Sequence, residues 1–272
     1  MKQKSINDTL SIKKIKSVFT FPKELKENSG IEAGKDFFWT FNDSGGKNSI
    51  YKMDFRGTLL QEVEIQNAKN RDWEDITSDE DFIYVGDFGN NNGDRQDLTI
   101  YKISKRDIID KTYQKVTAKV ITFEYDNRVD FSKNPYEHDF DCEAMFIYKD
   151  QIHLLTKAWK TGVTSHYVLP TSAGHYEAQY LEKRNTQGFL TAADIQGEKV
   201  SAVQYTREGT VVLWDFSFDR NGLLFNSVSQ STYLGNTAEL GQIEGLMFFK
   251  NKLYISGEEM EGVSPTLYLI ER

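Results

Sequence analysis

The chain has 272 residues, and 33 Lys and Arg against 41 Asp and Glu leave a net charge of −8, which repels phosphate backbones and anionic lipid and argues against nucleic acid as a partner. Hydrophobic residues make up 39%, with 18 Phe, 14 Tyr and 4 Trp against only 4 Pro; this excludes disorder and favours strands over helices. No stretch approaches the roughly 18 apolar residues of a membrane helix, and a single cysteine, Cys142, excludes an internal disulfide framework.

The opening MKQKSINDTLSIKKIK lacks the apolar core of a signal peptide. Residues 1–10 read as a flexible leader to one domain spanning 1–272. The expected location is extracytoplasmic, periplasmic or on the cell surface, with an export signal replaced by Met1; a cytoplasmic protein is the alternative.

Internal similarity organises the rest of the chain. Five segments begin with a polar or acidic start to a short apolar strand: SGIEAG (29–34), DWEDI (72–76), DCEAM (141–145), TAADI (191–195) and QIEGL (242–246). Superposed, they align Glu32, Glu74, Glu143, Ala193 and Glu244. A short polar turn leads each into a second strand, FFWTF, FIYVG, IHLLT, VSAVQY and LYISG, and then into a third, SIYKMDF, LTIYKIS, HYVLP, TVVLWDFSF and TLYLI. A more polar fourth strand completes four units: LLQEVEI, TAKVITFEY, YEAQYLE and SVSQSTYL. The last unit has none, while SIKKIKSVFTF near the N-terminus has no hairpin partner.

The pattern predicts an all-β fold, a five-bladed β-propeller in which the N-terminal strand closes the last blade, with a six-bladed ring as the alternative. Such closure hides sheet edges that would otherwise pair with other chains. A β-sandwich accommodates a regular four-strand unit poorly.

In such a ring the start of each first strand and the end of each second strand share one face. That rim collects Glu32, Glu74, Glu143 and Glu244, together with Asp43, Asp87, Lys157, Glu258 and Glu259, with Trp159 beside it. Crowded carboxylates must hold protons, recruit Lys or Arg, or bind a cation. Hard oxygen ligands suit Ca²⁺, so Glu32, Glu74, Glu143 and Glu244 are the expected metal ligands, with Lys157, Arg71 and Arg95 as counter-charges. The competing reading has these glutamates accepting backbone hydrogen bonds and holding the ring together. An EF-hand is excluded, because Phe88 and Thr99 occupy positions where its loop needs oxygen ligands. Neither HExxH, GxSxG nor a P-loop occurs. Cys142, His153 and His166 read as buried strand residues, and Trp73 and Trp159 as inter-blade packing or sugar-stacking rings.

DWEDI, GDFGNN followed by Arg95 and Ile100-Tyr101, D-x-EAM and LLTK resemble the bacterial SdiA-regulated and phytase-like (esterase-like) propellers across roughly residues 29–159. The resemblance implies a propeller with a charged top face, calcium, and a secreted or lipid-anchored protein. By position it carries over Glu74, Asp75, Asp87, Asn90, Asn91, Arg95, Glu143 and Lys157. Phytase-like propellers usually have six blades, which sets a five-bladed chain apart from their phosphatase activity. WTFNDSGG is also similar to a signature of five-bladed glycosidases, without its proline and with Asp43 on a second strand.

The expected function is a monomeric binding module for a divalent cation and a polar small molecule or glycan. The alternatives are a hydrolase of phosphoesters or glycosides, with Glu74, Glu143 and Lys157 as the catalytic residues, and a protein-interaction scaffold.

Overall fold

The structure, a computed structural model, describes residues 11–271 apart from 13, 228 and 261; the expected leader, 1–10, lies outside the described residues. Two short strands come first, β1 (Ser11–Ile12) and β2 (Ile15–Thr20). The chain then folds into successive antiparallel meanders. The first contains β3 (Asn28–Ala33), β4 (Phe38–Asn42), β5 (Ser49–Met53) and β6 (Leu59–Ile65). The second contains β7 (Trp73–Ser78), β8 (Phe82–Asp87) and β9 (Leu98–Ser104); after β10 (Tyr113–Val116), which returns to lie parallel to β6, it is completed by β11 (Lys119–Tyr125).

The third meander is β12 (Asp141–Tyr148), β13 (Gln151–Lys157), β14 (Val163–Pro170) and β15 (Gly174–Asn185). The fourth is β16 (Phe189–Gln196), β17 (Lys199–Tyr205), β18 (Thr210–Ser217) and β19 (Gln230–Asn236). A one-turn helix, α1 (Thr237–Leu240), leads to the fifth, β20 (Gln242–Phe249), β21 (Lys252–Glu258) and β22 (Thr266–Ile270). Its missing fourth strand is β2, antiparallel to β22 with Ile15 opposite Ile270 and Thr20 opposite Thr266. Because β1 lies parallel to β19, the N-terminal segment bridges the fourth and fifth meanders.

The first strands pack on one another in a closed cycle: β3 on β7, β7 on β12, β12 on β16, β16 on β20, and β20 back on β3. Each is enclosed on both faces, which is why WEDITS is buried everywhere except Ser78, whereas the outer LLQEVEI alternates towards its end. One departure from the repeat is that outer strands β11 and β15 pair in parallel, fusing the second and third meanders into one eight-stranded sheet, so the meanders form four hydrogen-bonded sheets.

Apolar clusters fill the spaces between neighbouring meanders. Trp39, Phe41, Trp73 and Tyr101 lie between the first and second, and Phe41 meets Trp73 edge-on at 5.7 Å. Burying each such side chain contributes about 1.5–3 kcal/mol. The tight hairpins β12–β13 and β20–β21 turn on Lys149-Asp150 and Lys250-Asn251, all with φ between 48° and 62°, the left-handed geometry of two-residue turns that match strand twist.

Candidate functional site

Every first strand carries a β-bulge near its start, where its pairing with the second strand shifts by one residue. The extra residues are Ser29, Glu74, Glu143, Thr191 and Glu244. A bulge takes its residue out of the ladder and re-aims the side chain. These residues therefore form the equivalent set, three positions before Glu32 in the first meander and two before Ala193 in the fourth. The hydroxyls of Ser29 and Thr191 donate to the backbone of the next first strand, Ser29 to the Glu74 carbonyl at 3.4 Å and Thr191 to the Ile243 carbonyl at 2.6 Å.

Glu32 is thereby corrected. It sits further along the strand, where its Oε1 accepts from the Ser78 hydroxyl at 2.6 Å, and its charged neighbours are Asp194 and Lys105. Asp75, expected to bind ligand, is a stitch between strands: Oδ1 accepts from the Ile76 N–H at 2.8 Å and Oδ2 from the Met145 N–H at 2.6 Å. Asp194 repeats the device, accepting from Ile195 and Phe248, each at 2.6 Å. The structural reading of buried acids holds for Asp75 and Asp194.

The other acids converge. One carboxylate oxygen from each of Asp43, Glu244 and Glu258 lies within 4.8 Å of the others; the same holds for Asp43, Asp72 and Glu74, and for Glu74, Asp141 and Glu143. The three triads share members and form one continuous arc. Second-strand ends complete it, since Lys157 is opposite Asp141 and Glu258 opposite Gln242. Lys157 Nζ donates to both Glu143 oxygens, at 2.7 and 2.8 Å.

The electrostatics follow from burial and like charge. Burial, then Glu143, Asp43, Asp72 and Asp141, push the Glu74 carboxyl well above its usual range. Burial and Glu244 raise Asp43 to about 7, burial and Asp141 raise Asp72 to about 6, and burial with Glu244 and Asp43 raises Glu258 to about 9. Burial opposes the Lys157 charge, but Glu143, Tyr205, Glu244 and Asp141 outweigh it and hold the ammonium above its usual value. The decisive atom is Glu244 Oε2, fully buried and, among the described residues, without a donor other than the neighbouring Glu258 carboxyl when that holds a proton; Oε1 of the same carboxylate accepts from Gln242 Nε2.

The Gly/Asn loop braces this arc. Arg95 donates to Asp87 Oδ1 at 2.9 Å, to Asp97 and to the carbonyls of Gly89 and Asp87. Asn90 donates its backbone N–H to Asp141 and its side-chain amide to the Phe140 carbonyl at 3.0 Å, while the Asn91 carbonyl accepts from the Tyr136 N–H at 3.0 Å. Asp87, Asn90, Asn91 and Arg95, expected as ligand residues, thus spend these contacts on loop geometry. Arg71 pairs with Asp97 rather than with the arc. Gly89 presses so closely that a Cβ there would collide with the Glu74 and Asp72 carboxylates. Trp159 anchors its Nε1 on Asp141 Oδ2 at 2.6 Å, below the Lys157 ammonium.

Asp72 and Asp141 were not singled out by the repeat. Their signal is an acid two places before a bulge glutamate, Asp72-x-Glu74 and Asp141-x-Glu143. His153 and His166 instead hydrogen-bond each other at 2.8 Å within the third meander, and Cys142 is a buried thiol whose pKa burial raises.

Against solved structures, the chain is similar to a protein described as an oxidoreductase (glucose dehydrogenase) from Thermus thermophilus, at a TM-score of 0.53 and 9% identity, covering 95% of this chain and 100% of that one. The fold is β-propeller-like. Two further matches are RS223 β-xylosidase, at a TM-score of 0.47 and 13% identity over 72% of each chain, and a Pseudomonas brassicacearum lignostilbene dioxygenase, at 0.42 and 8% over 90% of this chain and 64% of that one. No protein-family model and no curated relative matches the sequence. Among the described residues, no helix is long and apolar enough to cross a membrane.

Proposed function

We propose that the chain is a five-bladed propeller-type binding module whose acidic arc holds a divalent cation, Ca²⁺, which in turn presents a polar ligand. The meanders are its blades and the closed cycle of first strands its central wall. The observation that supports the cation is Glu244 Oε2, a buried acceptor that, among the described residues, only a proton on Glu258 or a bound cation can satisfy, in a triad whose other oxygens come from Asp43 and Glu258. Ca²⁺ takes oxygens at about 2.3–2.6 Å, so oxygens around one ion stand about 3–5 Å apart, the range of these triads. The proposed ligands centre on Asp43, which two triads share, with Glu244 and Glu258 on one side and Asp72 and Glu74 on the other. Glu143 is the partner of Lys157.

An extracytoplasmic location fits this reading, since exposed calcium modules work at about 10⁻⁴–10⁻³ M ion, and the resemblance to SdiA-regulated and phytase-like propellers points the same way. A hydrolase is the second reading, favoured by Glu74 and Glu143: their oxygens lie within 4.8 Å, near the roughly 5–5.5 Å of retaining glycosidases. Lys157 on Glu143 would have to leave before that carboxylate could act as a nucleophile.

Titration calorimetry with CaCl₂ tests the cation. Saturable binding, abolished in Glu74→Gln and matched by a fall in melting temperature with EDTA, is the expected result. An absence of binding heat together with a melting temperature indifferent to EDTA would sink the proposal.

A further inference from the structure

A cavity of about 480 Å³ opens beside the acidic arc, within the roughly 300–1,000 Å³ of small-molecule sites. Aromatic rings wall it: Tyr136 stands edge-on to Trp159 at 4.9 Å, Trp159 against Phe189 at 4.7 Å, and Phe189 edge-on to Tyr205 at 5.6 Å. Two lining residues reach the arc. Gln242 donates to Glu244, and Tyr205 has Lys157, Glu143 and Glu244 as its charged neighbours. Arg207 is part of the wall, donating to the Trp159 carbonyl at 2.8 Å with its guanidinium 5.5 Å from the Phe189 ring.

We propose that this cavity is the ring-binding subsite for a neutral saccharide, which lays one pyranose face against Trp159 and turns its hydroxyls towards the arc. The inference rests on the cation reading, because the ion would take those hydroxyls as neutral oxygen ligands. The sign of the charge selects the ligand class. Among the described residues, seven carboxylates make up the arc, its ammonium, Lys157, is held by Glu143, and the cavity wall adds one cation, Arg207, and one anion, Glu137. A phosphate or carboxylate approaching that wall meets net negative potential, whereas a sugar brings none. Its hydroxyls are also both donors and acceptors, so one can donate to Glu244 Oε2 while its oxygen faces the ion. The rings supply the apolar surface that sugar C–H faces pack against, and an aromatic wall beside polar side chains is the mixture that orients such a ligand.

Tryptophan fluorescence of the full chain, compared with that of Trp159→Phe, reads this out. Methyl β-D-glucoside, cellobiose, lactose and xylobiose are titrated in CaCl₂, with Ca²⁺ affinity measured on the same samples. The expected result is saturable quenching by at least one sugar. By calorimetry, its Kd should rise at least tenfold in Trp159→Ala and less than threefold in Trp159→Phe, which keeps a ring should the alanine variant fail to fold. Unchanged Ca²⁺ binding without a response to any sugar, or with sugar affinity indifferent to both substitutions, overturns the subsite and leaves the cation reading standing. Absent Ca²⁺ binding in the unaltered chain overturns the cation reading itself.

Discussion

Glu143 and Lys157 face each other across the β12–β13 hairpin at 2.7 and 2.8 Å, their side chains only 3% and 4% exposed. Removing one member of a buried pair leaves the other charge without compensation, which typically costs about 3–5 kcal/mol, while replacing both can be nearly neutral. Lys157→Met is therefore expected to lose about that much in guanidinium denaturation with EDTA present. The double variant Glu143→Gln/Lys157→Met should recover most of it. Equal losses in the single and double variants would show that the pair is not coupled in this way.

The raised carboxyls set a pH dependence with a definite sign. Asp72 at about 6, Asp43 at about 7 and Glu258 at about 9 bind protons in the folded chain that the unfolded chain releases near pH 4. Between those limits the folded state holds more protons, so without Ca²⁺ these groups make stability fall as pH rises from about 4 to 9. Bound Ca²⁺ replaces the protons and should flatten the decline, with Ca²⁺ affinity increasing over the same window. Melting curves from pH 5 to 9 in EDTA and in CaCl₂ check both slopes. A calcium-independent slope would contradict the expectation.

Asp75 has the opposite role to the arc, although it follows Glu74 directly. Its two oxygens hold the Ile76 and Met145 N–H groups and so join β7 to β12. Orphaning a buried donor costs about 1–3 kcal/mol, and Asp75→Ala orphans two. The variant should lose about 2–6 kcal/mol in denaturant unfolding, yet bind Ca²⁺ with the affinity of the parent at a temperature where it remains folded. A selective loss of Ca²⁺ binding would place Asp75 in the site instead.

These roles were only partly legible in the sequence. Hairpins such as the one turning on Lys149-Asp150 show themselves as charged residues between apolar runs, and a three-strand final unit beside an unpaired N-terminal strand points to the β2–β22 pairing. The bulges leave no such trace. Aligning on acidic character matched Glu32 to Glu74, whereas the geometry matches Ser29; an odd slip of three positions exchanges the faces of a strand. The parallel β11–β15 pairing was equally hidden, because it depends on two outer edges meeting in space rather than on either strand's own pattern.

Gly89 offers a test of the arc that leaves its carboxylates in place. Its Cα closes against Glu74 and Asp72, and a methyl group there must displace both oxygens. Gly89 does not have a left-handed φ, so alanine meets a steric penalty at the carboxylates and no backbone penalty. Gly89→Ala is expected to weaken Ca²⁺ at least tenfold with a loss of stability of about 1–3 kcal/mol, the usual cost of overpacking. Unaltered calorimetric affinity would place the ion away from Glu74.

The N-terminal strand supplies the last prediction. With β2 removed, the five-residue edge of β22, TLYLI, loses its hydrogen-bonding partner, and an apolar unpaired edge invites pairing with other chains. A chain starting at Phe21 should associate or precipitate at concentrations where the full chain gives one species in size-exclusion chromatography. A synthetic peptide covering residues 11–21 should restore that species by adding back the strand, as in donor-strand complementation. Peptides with the Ile15, Val18 and Phe19 side chains replaced by Ser should fail, since backbone pairing alone does not cover the Leu267 and Phe38 surface that Val18 and Phe19 pack against. If the truncated chain elutes and melts like the full chain, β2 does not close the last meander.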